Sequence, residues 1–494
     1  MMRASGVLMP VSGLPSKYGI GCFSSEAYKF VDQIHNAGQR YWQLLPLGPT
    51  GYGDSPYQSF STFAGNPYFI DLEALTEEGL LTIEECEAYD FGENEAYVNY
   101  GKIYNARKSI LWKAFHRSKY EEEGAYKSFC EENRGWLPDY ALFMAVKSYF
   151  SDKSWMEWDD DIRMREPEAL KKYRRLLIEE FDYCCFVQYK FAEQWKKLKN
   201  YAHQKQVQII GDIPIYVALD SADIWAHPEL FQMNADRRLT GQAGCPPDGF
   251  SATGQLWGNP LYDWEYHKET GYQWWIKRID HHHKLYDVIR IDHFRGLDEY
   301  YAIPAGAKTA EFGEWRPGPG NEIFQAITEK LGPLNIIAED LGFLTESVFR
   351  LLDQTGYPGM KILQFAFDSR ESGNYLPHNY SVNCIAYTGT HDNNTIRGWY
   401  ETISETDREY ALEYLGRDHL PLDEISWTFI RMAQSSVARL CIIPIQDYLD
   451  QGSEGRINTP ATIGGNWTWR LKKEEISKKL IDKIRQMTVL YGRL

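Results

Sequence analysis

The sequence predicts an α/β chain closed into a (β/α)₈ TIM barrel with helical and loop insertions. Three observations predict it. Eight short apolar runs with β-branched character recur along the 494 residues, and amphipathic helical stretches alternate with them. Strands alternating with helices make a parallel sheet, and eight of them fit closure into a barrel. No GxGxxG or GxxxxGK(S/T) loop follows any run, which weakens the open doubly wound alternative. Acidic residues at the ends of five runs add the third observation, because barrel active sites lie at the C-terminal ends of the strands.

The elements follow in order. The first strand is read at 6–11, followed by a helical pattern at 25–37 with Ala27, Phe30, Val31 and Ile34 on one face and Gly38 as its stop. The second strand, 41–45, closes in Pro46 and the loop 48–56. Residues 74–205 are rich in Glu, Lys, Tyr and Trp at helical spacing and read as a mainly helical insertion. The third strand, 207–210, ends at Gly211-Asp212. A Gly/Pro/Asn-rich loop is expected over 240–262, then a helix at 272–284. The remaining strands are read at 288–292, 334–339, 361–368, 383–388 and 440–445. A minimal barrel takes about 250 residues, so roughly half of the chain is insertion. One catalytic domain over 1–494 is expected, with no separate C-terminal domain.

Composition narrows the partners. The formal charge is −16 and no Lys/Arg-rich block appears, which disfavours nucleic acid and anionic membrane surfaces. Aromatic residues reach 15%, and many sit beside Gly, Asn, Asp or Pro at turns, as in Gly51-Tyr52-Gly53 and Leu256-Trp257-Gly258-Asn259. Such aromatics suit ligands with apolar faces and hydroxyl edges, which describes sugars. Eight cysteines without a CxxC pair read as reduced thiols, and no apolar run approaches the ~18 residues of a membrane span. The N-terminal stretch has no secretory h-region, so a cytoplasmic location is expected. The triplet His281-His282-His283 ends a helix and points three ways, so no metal site is read there.

The chemistry centres on 288–296, VIRIDHFRG. Alternation along a strand puts Val288, Arg290 and Asp292 on one face. That pattern fits a structural ion pair, or a nucleophile held ionised by a neighbouring cation. The other acidic strand ends are Asp212, Glu339-Asp340, Asp368 and, just past the seventh strand, His391-Asp392. Oxygen clusters of this kind also bind magnesium or calcium, but Arg290, His293 and His391 are interleaved here. Cations and neutral donors among carboxylates favour acid/base chemistry on a hydroxylated substrate.

These residues carry a resemblance. VIRIDHFRG, LNIIAEDLG, GDIPIYV and GTHDNNT, with LPLGPTGYGDSPYQSFSTFAGNPY, PDGFSATGQLWGNPLYDW and INTPATIGGNWTWR, resemble the 4-α-glucanotransferases, or amylomaltases. These are the glycoside hydrolase family 77 relatives of the α-amylase-like barrels. The likeness runs in order from about residue 5 to about residue 470. Three departures stand out: Cys22 replaces a common acidic residue, Ala461 a usual Gly and Ile457 a frequent Met. The resemblance implies transfer of α-1,4-glucan segments between maltooligosaccharides or amylose by retaining double displacement, with no cofactor and no metal. It implies Asp292 as nucleophile, Glu339 as acid and base, and Asp392 as the carboxylate gripping the sugar's 2- and 3-hydroxyls. Arg290 should keep the nucleophile's pKa low, while burial and Asp292 should raise that of Glu339. Asp340 is turned away and structural. His293 and His391 would bind neighbouring hydroxyls, and Asp212 and Asp368 would be second-line donor-subsite contacts. Ser55, Tyr57, Trp257 and Asn458 belong to the substrate-binding loops, of which 240–262 and 453–467 would cover the site. Tyr52 corresponds to a second surface glucan site of some relatives. An α-1,4-glucan hydrolase of the amylase type is the alternative, and a non-catalytic glucan-binding protein the next.

Overall fold

In the computed structural model, residues 3–247, 252–342, 344–370 and 375–494 are described, apart from the side chain of Tyr52. Twelve strands occur among them: β1 Ala4–Leu8, β2 Tyr41–Gln43, β3 Gln208–Ile213, β4 Gly241–Cys245, β5 Gln255–Pro260, β6 Val288–Ile291, β7 Glu299–Pro304, β8 Glu314–Pro317, β9 Ile336–Ala338, β10 Gly359–Ile362, β11 Cys384–Tyr387 and β12 Leu440–Pro444. Eight of them form one parallel sheet in the order β10-β11-β12-β1-β2-β3-β6-β9. Its two ends meet. The Ala338 amide donates to Pro358 O at 3.0 Å, and the Met360 amide donates to the Asp340 carboxylate at 2.6 Å. The sheet therefore closes as a barrel, and Asp340 serves the seam. A Cβ on Gly359 would lie 2.3 Å from that carboxylate, so only glycine lets the two strands approach.

Strand interiors are apolar on both faces, as expected where helices cover the outside and side chains fill the inside. β1, β9, β11 and β12 are buried throughout. The eight strands fall within the expected stretches or within a few residues of them. The sixth departs most: β10 ends at Ile362, and Leu363–Phe367 continues as a 3₁₀ turn. The run 361–368 is apolar enough for a strand, but its second half lies beyond the last parallel partner, Tyr387.

The 240–262 stretch also differs from the loop expected there. β4 and β5 pair antiparallel, β4 pairs with β7, and β7 with β8, making a second, four-stranded sheet. Gly, Gln and Asn have low strand propensity, so pairing with the apolar β7 carries the structure. Gly244 is required in it, since a Cβ there would meet Gln255 O at 2.2 Å. Residues 248–251, inside this stretch, lie outside the described residues.

Between β2 and β3 the chain is helical, including Tyr100–Arg117, Leu137–Tyr149 and the long Ile178–Gln204. The last of these ends just before β3, where Tyr201 donates to both Asp32 oxygens of helix Ser25–Asn36 at 2.8 and 2.9 Å. Its C-terminal part is thus a barrel helix, while its N-terminal part packs on Leu137–Tyr149. None of the eight cysteines is in a disulfide. Among the described residues no helix is long and apolar enough to cross a membrane.

Candidate active site

Register builds the site. β3 and β6 pair with Asp212 level with Arg290, and β6 pairs with β9 so that Ile291 is level with Ala338. One residue further on, Asp292 and Glu339 come level on neighbouring strands. Parallel strands lie about 4.8 Å apart, so the two carboxyl groups leave the barrel side by side.

Arg290 is buried and its Nη1 serves two acids. It lies 2.7 and 2.6 Å from the Asp212 oxygens and 3.0 Å from Asp292 Oδ1. Its Nε rests against Met360 Sδ at 3.4 Å. Asp212 also accepts from the Tyr57 hydroxyl at 2.8 Å. Its side chain has no exposed surface. The strand register gives both of its oxygens to Arg290, so Asp212 stands behind that cation as its buried counter-charge.

Glu339 is fixed by main chain. Its Oε2 accepts from the His293 amide at 2.6 Å, and its Oε1 from the Leu341 amide at 2.8 Å. His293 can aim that amide because it adopts φ 50°, ψ 47°, the left-handed region. A non-glycine residue held there costs of order 1–3 kcal/mol. Burial pushes the Glu339 carboxyl up to about 7; Arg290 opposes the shift and the charge of Asp292 adds to it. Burial likewise pushes Asp292 up to about 6, with Arg290 pulling down and Asp212 pushing up. The expectation that Arg290 holds Asp292 low is corrected for that reason, since one guanidinium is shared between two acids.

Asp392 follows β11 and depends on loops. Its Oδ1 accepts from Asn458 Nδ2 at 2.6 Å, and Oδ2 lies 3.3 Å from His391 Nε2. Burial opposes its ionisation, yet His391 and Asn458 hold it at about 2. For His391, burial favours the neutral ring, but Asp392 outweighs it and the pKa rises. Tyr57 stacks on His391 with centroids 5.1 Å apart, and Trp467 tilts against both rings. His293 is neutral, its pKa lowered to about 3 by burial and by Arg295. Trp257, on β5, stands edge-on to His293 at 4.9 Å.

Ser55 works locally: its hydroxyl accepts from the Tyr57 amide at 3.2 Å, closing the turn that presents Tyr57. Next to it, Asp54 accepts from Tyr104 of the helix Tyr100–Arg117, which ties this loop to the helical insertion. Asp368 follows the 3₁₀ turn after β10, and Arg370 takes its carboxylate at 2.8 and 2.6 Å. Gln364, from the turn itself, donates to Asn394 O at 2.6 Å, in the loop that carries Asp392. Tyr52 lies in the turn Tyr52–Asp54, but its side chain is outside what is described. Met360, Gln364 and Arg456 were missed because none is an acid, a histidine or an aromatic, and only the neighbouring motifs mark their positions.

Known proteins resemble this chain over nearly its whole length. A family model described as 4-alpha-glucanotransferase, glycoside hydrolase 77, matches residues 9–476. A 4-alpha-glucanotransferase of Clostridium butyricum is 50% identical over 488 residues, covering 98% of this chain and all of that one. An amylomaltase from Streptococcus agalactiae, solved in complex with acarbose, superposes with a TM-score of 0.96 at 45% identity and covers 99% of both chains. Amylomaltase from Corynebacterium glutamicum shares the fold at a TM-score of 0.78 and 20% identity, over 99% of this chain and 74% of its own.

Proposed function

The chain belongs to the 4-alpha-glucanotransferase family and has that family's activity on α-1,4-glucans; from this we propose that it works by retaining double displacement on Asp292. Asp292 attacks the anomeric carbon of the donor glucan, and Glu339 protonates the departing 4-oxygen. A covalent β-glucosyl–Asp292 ester results, and the shortened glucan leaves. Glu339, now ionised, takes the proton from the 4-hydroxyl of an acceptor glucan as that oxygen attacks the anomeric carbon from the face opposite Asp292, and the Asp292 carboxylate leaves. Two inversions give retention.

One observation carries the reading: Asp292 and Glu339 are level on adjacent strands, with Glu339 the harder of the two to ionise. Retention needs carboxyl groups about 5–5.5 Å apart, too close for a water between them, and neighbouring parallel strands supply that spacing. A proton donor at about 7 beside a nucleophile at about 6 supports the division of labour at neutral pH. Asp392, ionised throughout, suits hydrogen bonds from the sugar's 2- and 3-hydroxyls, which strengthen as the ring becomes oxocarbenium-like. His293 and His391 supply further polar contacts.

Transfer requires that an acceptor, not water, reach the ester. Tyr57, Trp257 and Trp467 wall the cleft with rings, so a bound glucan displaces water from it. Maltooligosaccharides and amylose are the donors and acceptors we assign. Eight cysteines with no disulfide among them support a reducing compartment, the cytoplasm.

Incubation of the purified protein with maltotriose alone tests the reading. Glucose and a ladder of longer oligomers, without a gain in reducing ends, is the expected product set. Glucose and maltose with rising reducing ends make the protein a hydrolase instead.

A further inference from the structure

Arg456 belongs to none of the acid, histidine or aromatic groups discussed so far, yet it joins the two segments that meet at Asp392. Its Nη2 donates to Asp392 O at 2.8 Å and its Nε donates to Asn458 O at 2.8 Å. One planar guanidinium thus clamps the backbone after β11 to the backbone of the 456–467 loop. Two further bonds complete the joint: the Asn458 amide donates to His391 O at 3.1 Å, and the Asn458 side chain donates to Asp392 Oδ1 at 2.6 Å.

The loop itself is anchored at its base and exposed at its tip, where Thr462 donates to Thr459 O and accepts from the Asn466 side chain. The Trp467 amide donates to Ile457 O at 2.8 Å and the Thr459 amide to Asn466 Oδ1 at 2.9 Å. Residues 460–465 are exposed, with Ile463 78% accessible. Four residues here hold left-handed backbone: Ala461, Gly464, Gly465 and Trp467. The shape of the loop is therefore set at its base, where Arg456 is the cation.

We infer that Arg456 is a positioning residue for the transfer reaction: it locks the base of the 456–467 loop to the backbone of Asp392 and so fixes the carboxylate against the reacting sugar. The inference rests on the catalytic role of Asp392 given above. A displaced Asp392 still presents an acceptor surface for ground-state hydroxyls, but it misses the geometry of the transition state. The loss then falls on kcat more than on KM.

The test is a double-mutant cycle between Arg456→Ala and Asp392→Asn, with maltosyl fluoride as donor to keep low rates measurable and maltotriose as acceptor. Arg456→Ala is expected to lower kcat roughly 30-fold with KM within about threefold, and to cost less than about threefold once Asp392 is already Asn. Arg456→Lys, which keeps the charge but not the planar fork, should recover only a small part of the loss. Equal losses in both backgrounds, or a loss carried by KM, overturn the inference. An inactive Asp392→Asn beside a fully active Arg456→Ala overturns it while leaving the role of Asp392 intact. Full transfer by Asp392→Asn overturns that role and the inference together. If Arg456→Ala does not fold, the same cycle with Arg456→Lys and Arg456→Gln decides between these outcomes.

Discussion

Asp292 and Asp392 are both partly covered carboxylates in one cleft, and their ionisation is pushed in opposite directions. Asp292 ends a strand, and its cation Arg290 is already engaged by both oxygens of Asp212. With Glu339 alongside, three acids share one guanidinium, so desolvation prevails and Asp292 rises to about 6. Asp392 sits on a loop with a side-chain amide and a histidine to itself, and it falls to about 2. The lesson is that burial alone does not set a carboxylate's pKa; the number of donors per acid does. A strand gives rigid placement but crowds charges of one kind, whereas converging loops bring donors from distant parts of the chain.

The largest expected effect falls on the strand side. Asp292→Asn should cut transfer about 10⁴-fold or more, as removal of a nucleophile does, while leaving maltotriose binding measurable by calorimetry. Substantial residual transfer removes Asp292 from that role.

Arg290→Gln comes next. It leaves the buried Asp212 and the partly covered Asp292 without their cation, and losing one partner of a buried pair costs about 3–5 kcal/mol. Thermal unfolding reads this directly. A loss under about 1 kcal/mol would show that solvent reaches the group, contrary to its near-complete burial.

The pH dependence sharpens the contrast. Transfer should fall on the acid side as Asp292 gains a proton near 6, and on the alkaline side as Glu339 loses one near 7. Both folded-state values are raised, so these groups bind protons more tightly in the folded than in the unfolded state. Their contribution to stability is present at low pH and is lost as pH rises, from about 4.5 to about 7 for Glu339. Glu339→Gln should therefore unfold at a higher temperature than the parent at pH 8, with the difference shrinking toward pH 4. It should also abolish the alkaline limb with a fluoride donor, which needs no proton.

On the loop side the effects are smaller. Asn458→Ala removes one of the donors to Asp392 and should slow transfer about tenfold, a loss of about 1.4 kcal/mol in transition-state stabilisation. Smallest of all, Ala461→Gly relieves an alanine held at φ 61°, where an L-residue pays about 1–2 kcal/mol. A rise of a degree or two in Tm is the expected sign, and a fall would mean that unfolded-state entropy dominates.

Much of this was written in the sequence. Hydrophobic runs marked all eight barrel strands, because a strand buried on both faces must be apolar along its length. Strand ends marked Asp292 and Glu339, because alternation and chain direction fix which side chains reach the C-terminal rim. The motif GTHDNNT marked Asp392. Sequence could not mark the partition of Arg290 between Asp212 and Asp292, since that depends on the register of β3 against β6. Nor could it mark the second sheet, whose β4 and β5 are poor strand formers held by their neighbours. Arg456 is the sharpest case: a lone arginine among loop residues acquires its place only when segments more than 60 residues apart converge. Local pattern determined which residues could do the chemistry. Tertiary structure decided which charges share a partner, because a hydrogen bond in a dry site depends on distances that no linear spacing encodes.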